Sequence, residues 1–252
     1  FAFDGSVVPA GNGTLIDLGS APPSNAYLTN DSLKSPERWF PLKVLICENC
    51  WLVQTEDYAE ASQLFDSNYA YFSGFSKSWL LHAENYVEKM VTEFSISEGS
   101  NVLEVAANDG YLLQYFQKRN VPCYGVEPTS STAAAARKKG LEIVEEFFGV
   151  KLAEKLLIDK GPADLTVANN VLAHVPDIND FVRGFSIILS ENGIATFEFP
   201  HFLKLIIENQ FDTIYHEHFS YLSLTSVSEI FLKNGLSVFH VEEIPTHGGS
   251  LR

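Results

Sequence analysis

From residue 101 onward the chain alternates short apolar runs with segments whose apolar residues recur at helical spacing. That alternation predicts a mostly parallel sheet covered by helices, an α/β architecture. Strands are expected at residues 101–106, 122–127, 141–144, 164–168, 193–199 and 236–243, and helices near 110–119, 130–139, 149–159, 178–189, 202–210 and 224–234. Gly140 and Gly235 each follow a helical run and precede an apolar one, as a helix stop does. Thr225 is placed to cap the last helix. The apolar run Val238–Ile244 leads into the turn-rich Pro245-Thr246-His247-Gly248-Gly249, and Ser250-Leu251-Arg252 reads as the start of a further strand.

The first 60 residues follow another pattern. Gly and Pro punctuate Val8–Gly13 and Gly19–Asn25, with short apolar runs such as Leu42–Ile46 between them, which suggests a small, loop-rich β module. An aromatic and hydroxyl-rich run, Tyr69–Ser76, then feeds a helix carrying Leu81, Tyr86, Val87, Met90 and Val91. The expected division is therefore residues 1–65, a linker and helix over 66–100, and an α/β domain over 101–252. The stretch around Ser73–Ser78 reads equally as a mobile lid and as an ordered connection.

Composition narrows the function classes. Of 252 residues 46% are hydrophobic and 13% aromatic, enough to bury a core and to exclude disorder as the overall description. The net charge of −15 disfavours a protein that grips a nucleic-acid backbone through many cations. No stretch approaches the roughly 18 apolar residues of a spanning helix, and the start lacks a signal-peptide pattern, so no membrane partner and a cytoplasmic setting are expected. Three cysteines, Cys47, Cys50 and Cys123, do not make a disulfide scaffold and fit a reducing compartment. Cys123 lies in an apolar run and reads as a small buried side chain.

The most specific local pattern is Asn101-Val102-Leu103-Glu104-Val105-Ala106-Ala107-Asn108-Asp109-Gly110, an apolar strand running into small and polar residues and a glycine. Small side chains let a ligand approach the backbone at the carboxyl end of a strand, where open α/β sheets bind ligands. The glycine fingerprint of dinucleotide binding is absent, which weakens a nicotinamide-dependent dehydrogenase. About twenty residues on, Tyr124-Gly125-Val126-Glu127-Pro128 ends the second strand with a carboxylate suited to a ribose diol. Together with Val167–Val175, these segments resemble the class I methyltransferases that use S-adenosylmethionine. The resemblance implies a Rossmann-like, mostly parallel seven-stranded sheet. It places Glu104 and the loop Ala106, Asn108, Asp109 and Gly110 around the methionine portion, Glu127 and Pro128 at the ribose, Phe147 or Phe148 at the adenine, and Asn169 and Asn170 near the sulfonium.

Two of the seven histidines fall in Tyr215-His216-Glu217-His218. Residues two apart share a face in a strand and diverge in a helix, and the spacing is not that of a zinc protease. An aromatic loop with histidines satisfied by the backbone and an acid–base cluster are both open readings. The set Cys47-x-x-Cys50-Trp51, Tyr69/Tyr71, Glu104–Gly110, Asn170–His174, Tyr215–His218 and His247–Arg252 resembles the nucleotide-sugar C-methyltransferases of deoxysugar biosynthesis. That likeness implies methylation of carbon 3 of a thymidine-diphosphate 4-keto-deoxysugar, with His218 as general base and Glu217 orienting or tuning it. Tyr215 and His174 would contact the enolate oxygen or keep the sugar aligned, and Tyr69 would close the pocket.

The same resemblance implies a zinc module, of which Cys47 and Cys50 supply half a tetrahedral set. Residues 1–46 hold no cysteine, so a second ligand pair is expected outside this chain if zinc is bound. The family also has a further α/β domain that helps hold the substrate's nucleotide, expected to follow Arg252. For the diphosphate this chain offers Lys204 and Arg252 as weak candidates. Rival readings are a small-molecule O- or N-methyltransferase and a non-catalytic binding protein of the same fold. Residue spacing leaves the oligomeric state and the sugar's other substituents open.

Overall fold

The computed structural model describes residues 13–56 and 72–252. Their strands are β1 (Gly13–Ala21), β2 (Phe40–Ile46), β3 (Val53–Thr55), β4 (Val102–Val105), β5 (Cys123–Val126), β6 (Glu142–Val144), β7 (Ala163–Asn169), β8 (Leu189–Pro200), β9 (Ser220–Tyr221), β10 (Glu243–Ile244) and β11 (Ser250–Leu251). The helices are α1 (Lys77–Glu93), α2 (Leu113–Gln117), α3 (Ser130–Lys138), α4 (Val150–Lys160), α5 (Ile178–Ile188), α6 (Phe202–Ile207) and α7 (Leu224–Lys233). A seven-stranded sheet has the order β10-β11-β8-β7-β4-β5-β6, and a four-stranded sheet the order β1-β2-β3-β9.

The chain gathers into two compact units. The parallel-sheet unit holds residues 72–169 and Arg183–Phe197; the mixed unit holds residues 13–56, Asn170–Val182 and Glu198–Arg252.

In the parallel-sheet unit β4 runs parallel to β5 and to β7, with Glu104 opposite Gly125 on one side and Val167 on the other. Every residue of β4 is buried, which is why this strand reads as an unbroken run rather than an alternation. Helix α1 begins where Ser76 accepts a hydrogen bond from the Trp79 amide, and it buries Ala83, Tyr86, Val87 and Met90 at the i, i+3, i+4, i+7 spacing. They join Leu112, Leu113, Phe116, Leu165 and Val167 in one core cluster.

In the mixed unit β1, β2, β3 and β9 pair antiparallel, β9 setting Tyr221 opposite Val53 and Ser220 opposite Gln54. Leu42, Val44, Val53, Leu205, Ile214 and Tyr221 form its core, so residues far along the chain complete the N-terminal β module.

Two local expectations are corrected. Of the apolar run 236–243 only its last residue is in a strand: Glu243 and Ile244 pair with Leu251 and Ser250, while Val238, Phe239 and Val241 stay exposed. Strand propensity without a neighbouring strand does not make a strand. The cap of α7 is Ser223, not Thr225; Ser223 and Ser226 form a reciprocal capping box, which requires the extended backbone found at Ser223. Gly140 and Gly235 both adopt left-handed backbone after their helices, as a stop requires.

Gly125 lets β5 approach the loop after β4: a β-carbon there would come within 2.6 Å of the Ala107 β-carbon and 2.8 Å of Ile143. Gly125→Ala is expected to destabilise the protein by about 1–3 kcal/mol through overpacking, read as a lower urea midpoint at unchanged m-value.

Candidate active site

In the parallel-sheet unit the loop after β4 takes left-handed backbone at alternate residues, Ala106 (φ 59°), Asn108 (φ 49°) and Gly110 (φ 74°). Only Gly110 adopts it without steric cost. Its amides are taken up within the protein: Ala107 donates to the Val126 carbonyl, Asn108 to Glu127, Asp109 to the Asn108 side chain and Gly110 to the Ala107 carbonyl. Side chains hold the strain in place. The Asn108 Oδ1 accepts from the amides of Ser73 (3.0 Å) and Asp109 (2.9 Å). Asp109 accepts from the Gly74 amide (3.1 Å) and pairs with Lys139 (3.1 Å). Asn108 and Asp109 thereby tie the 73–75 turn to the loop, which makes this segment an ordered connection.

Two buried glutamates flank the loop. Both Glu104 oxygens lack a hydrogen-bond partner. Burial first, then the neighbouring Glu127 charge, raises the Glu104 carboxyl well above the usual carboxylate range; the nearby Leu113 amide favours the charged form without reaching hydrogen-bonding geometry. A buried carboxylate in that condition calls for a cationic or donor-rich ligand. Glu127 is also raised by burial, but its oxygens accept from the amides of Asn108 and Thr129, each at 2.9 Å, which fixes its orientation. Asn169 adds a buried Oδ1 without a partner at the end of β7.

Phe148 packs against Phe185 (4.8 Å between centroids) and Phe147 is exposed. Pro128 is half-buried after β5. Asn170, in the mixed unit, takes left-handed backbone, donates its amide to the Glu198 carbonyl (2.6 Å), and has no partner for its carboxamide.

The mixed unit carries the histidine cluster on a turn, not a strand, so His216 and His218 diverge. His216 Nε2 faces the carbonyls of Phe40 (3.1 Å) and Pro41 (3.2 Å); both can only accept, so Nε2 carries the proton and ties the turn to β2. His218 Nδ1 donates to the Thr213 carbonyl (2.8 Å), which leaves the Nε2 lone pair to accept from the Tyr215 hydroxyl (2.9 Å). His174 Nδ1 donates to the Glu217 carbonyl (2.9 Å), and the His174 and His218 rings meet edge to face at 4.7 Å.

Burial above all, then for His218 the neighbouring His174, with His247 acting in the same sense on both, brings His218 down to about 3 and His174 to about 4. Both imidazoles are therefore neutral near pH 7. The expectation that Glu217 orients His218 is corrected: Thr213 does so, because the turn points the Glu217 carboxylate to Asn25, whose Nδ2 lies 2.7 and 2.8 Å from its two oxygens.

Asn25, Thr213 and His247 were not singled out as site residues by sequence reasoning. Only His247 carried a local signal, its place before Gly248-Gly249; it adopts left-handed backbone (φ 50°). Tyr69, expected to close the pocket, and Tyr71 lie outside the described residues.

Cys47 and Cys50 are buried on a tight turn in which the Cys47 amide donates to Leu52 and the Trp51 amide to the Cys47 carbonyl. Trp51 is held left-handed (φ 60°). Among the described residues no group of three or more His, Cys, Asp and Glu could hold a metal, so the described side chains do not make up a complete four-ligand zinc site. Arg252 is corrected as a diphosphate candidate: its guanidinium pairs with Glu198 (2.8 Å) and Glu242 (2.9 Å). Lys204 lies 3.5 Å from Glu243. No helix among the described residues is long and apolar enough to cross a membrane.

A mostly parallel seven-stranded sheet with a strained loop and two buried acids at successive strand ends defines the class I methyltransferase fold. Residues 79–241, well over half of the chain, match the family described as "Methyltransferase domain", and the chain belongs to that family of methyl-transferring enzymes. Residues 11–65 match a family described as "Putative zinc binding domain".

The chain is 32% identical over 237 residues to the C-methyltransferase NovU of Streptomyces niveus, covering 94% of this chain and 56% of that protein. The chain thus spans just over half the length of this curated relative. Among solved structures it resembles the magnesium protoporphyrin IX methyltransferase of Synechocystis PCC 6803 with bound SAH (TM-score 0.53, 15% identity, 68% of this chain and 80% of that one). It also resembles an S-adenosylmethionine-dependent methyltransferase of Clostridium acetobutylicum (TM-score 0.53, 11% identity, 68% and 89%).

Acid is expected to weaken the mixed unit. A histidine whose proton affinity is lowered by folding adds stability above about pH 6.5 that is lost as pH falls toward its folded value. For His218 the loss is on the order of 1.4 kcal/mol per pH unit at most. The raised Glu104 and Glu127 act with the opposite sign, adding stability at low pH that is lost as pH rises through their folded values. The test is therefore a comparison: urea stability of the wild type should fall more steeply between pH 7 and 4.5 than that of His218→Asn.

Proposed function

We propose that this chain forms the methyl-transferring part of an enzyme that methylates a carbon next to a ketone, on a thymidine-diphosphate 4-keto-deoxysugar. The observation that carries the reading is the fixed tautomer of His218: with Nδ1–H locked on Thr213, the Nε2 lone pair faces the Tyr215 hydroxyl.

S-Adenosylmethionine, when bound, supplies an electrophilic methyl group. The residues of the parallel-sheet unit suited to hold it are Glu104, Glu127, Asn169 and the loop 106–110, with Pro128 beside Glu127 and Phe147 as the exposed ring; the Glu104 oxygens, which have no partner among the described residues, fit a donor-rich ligand, and Asn170 as a cofactor residue rests on family resemblance.

The sugar carbon must first lose a proton. His218 Nε2 takes it, so the C–H bond breaks, an N–H bond forms, and the electron pair moves to the ketone oxygen as an enolate. Tyr215 releases Nε2 and donates to that oxygen, and His174 aligns the sugar. The imidazolium so formed is disfavoured by burial and returns its proton to water. Likeness to a C-methyltransferase supports carbon as the acceptor, and Tyr69 as a pocket-closing residue rests on family resemblance.

Two measurements test this. Glu104→Gln is expected to weaken S-adenosylhomocysteine binding roughly tenfold or more in calorimetric titration, since one of the two acceptor oxygens is replaced by a donor. In deuterated buffer the wild type should exchange the proton next to the ketone of a thymidine-diphosphate 4-keto-deoxysugar, and His218→Asn should lower exchange and methyl transfer by about 10²–10⁴ while cofactor affinity holds. Methylation of a hydroxyl or amine without that exchange would overturn carbon as the acceptor.

A further inference from the structure

Glu217 is almost fully buried, at 2% exposure. Its carboxylate lies against Asn25, which follows β1. The Ala26 amide donates to the Pro23 carbonyl (3.2 Å), closing a turn over residues 23–26 with Ser24 and Asn25 at its centre. A carboxamide nitrogen only donates, so both contacts run from Asn25 Nδ2 to Glu217. The peptide carbonyl of the same Glu217 accepts from His174 Nδ1.

One residue therefore has its side chain fixed by the N-terminal module and its main chain fixing the tautomer of His174. Neighbouring bonds act in the same sense. The Thr55 hydroxyl donates to the His218 carbonyl (3.2 Å), the Thr55 amide to the Phe219 carbonyl (3.1 Å), and the Phe219 amide to the Ala173 carbonyl (2.8 Å).

We infer that Asn25 is a positioning residue for the histidine cluster: it holds the Glu217 side chain so that the Glu217 carbonyl keeps His174 as the Nδ1–H tautomer. The inference rests on the functional reading above for its catalytic consequence, and on hydrogen-bond geometry alone for the tautomer. It gives the N-terminal β module a part in the chemistry that does not depend on a metal.

The test uses the full chain with Asn25→Ala, Asn25→Asp, Glu217→Gln and the exchanged pair Asn25→Asp/Glu217→Gln, in which the amide and the carboxylate trade places. The first readout is the nitrogen-15 NMR signature of the His174 ring, which needs no substrate. The second is kcat and KM for methyl transfer, with S-adenosylhomocysteine affinity alongside.

Asn25→Ala and Asn25→Asp are expected to reduce the Nδ1–H signature of His174 and to lower kcat at least about tenfold with cofactor affinity unchanged. The exchanged pair should recover both readouts relative to either single substitution, as a coupled pair does. An unchanged His174 signature in folded Asn25→Ala would overturn the inference, and so would an exchanged pair no better than Asn25→Asp alone. A changed signature with undiminished methyl transfer would uphold Asn25 as the strut and overturn the catalytic role given to His174, so the two failures are distinguishable.

Discussion

The segment Tyr215–Phe219 closes one backbone bond of its own, from the His218 amide to the Tyr215 carbonyl, and is further held by hydrogen bonds from elsewhere in the chain. Its carbonyls and ring nitrogens meet Thr55, Phe40, Pro41, Thr213 and His174, and its one carboxylate meets Asn25. Buried polar groups must be paired, so this web also determines which nitrogen of each histidine bears the proton. Three chemically identical rings are thereby given different tasks. His216 braces the turn against β2, His174 is locked to a main-chain carbonyl, and His218 presents a lone pair to a phenol.

The buried glutamates show how partners differentiate a single side-chain type. Glu104 has no partner, Glu127 has two backbone amides, Glu217 has a carboxamide, and Glu198 has a guanidinium and the Thr246 hydroxyl. Desolvation acts on all of them, and what each can do follows from how it is relieved. The acid with nothing to relieve it is suited to a ligand; the fully paired ones organise the protein. A net charge of −15 reveals none of this, because the surface carboxylates dominate the count.

The α/β pattern was legible because the central strand β4 is buried throughout and because Gly140 and Gly235 stop the helices before them, both local signals. Strand β9 was not, since Ser220 and Tyr221 become a strand only by meeting Val53 and Gln54, well over a hundred residues earlier in the chain. The same non-locality misled in the other direction at residues 238–241, where good strand formers stay outside the strands and are exposed at Val238, Phe239 and Val241. The concentration of His and Tyr at 215–218 was visible as composition. The distinct partners of His216 and His218 were not, because they depend on carbonyls of β2 and of Thr213 that spacing does not reveal. Asn25 gave no signal at all: an asparagine after two prolines reads as a turn residue, and it is one.

The clasp between Glu198 and Arg252 joins the end of β8 to residue 252. Glu198 is fully buried, and its side chain also accepts from Thr246, two residues before the paired glycines that follow His247. Breaking one side of such a pair strands a charge out of water, at a cost of roughly 3–5 kcal/mol. Loss of the Arg252 guanidinium would thus convert the Glu198 carboxylate from a fastener into a wedge, loosening at one stroke the 246–250 segment and, through the Glu198 carbonyl, the left-handed backbone of Asn170.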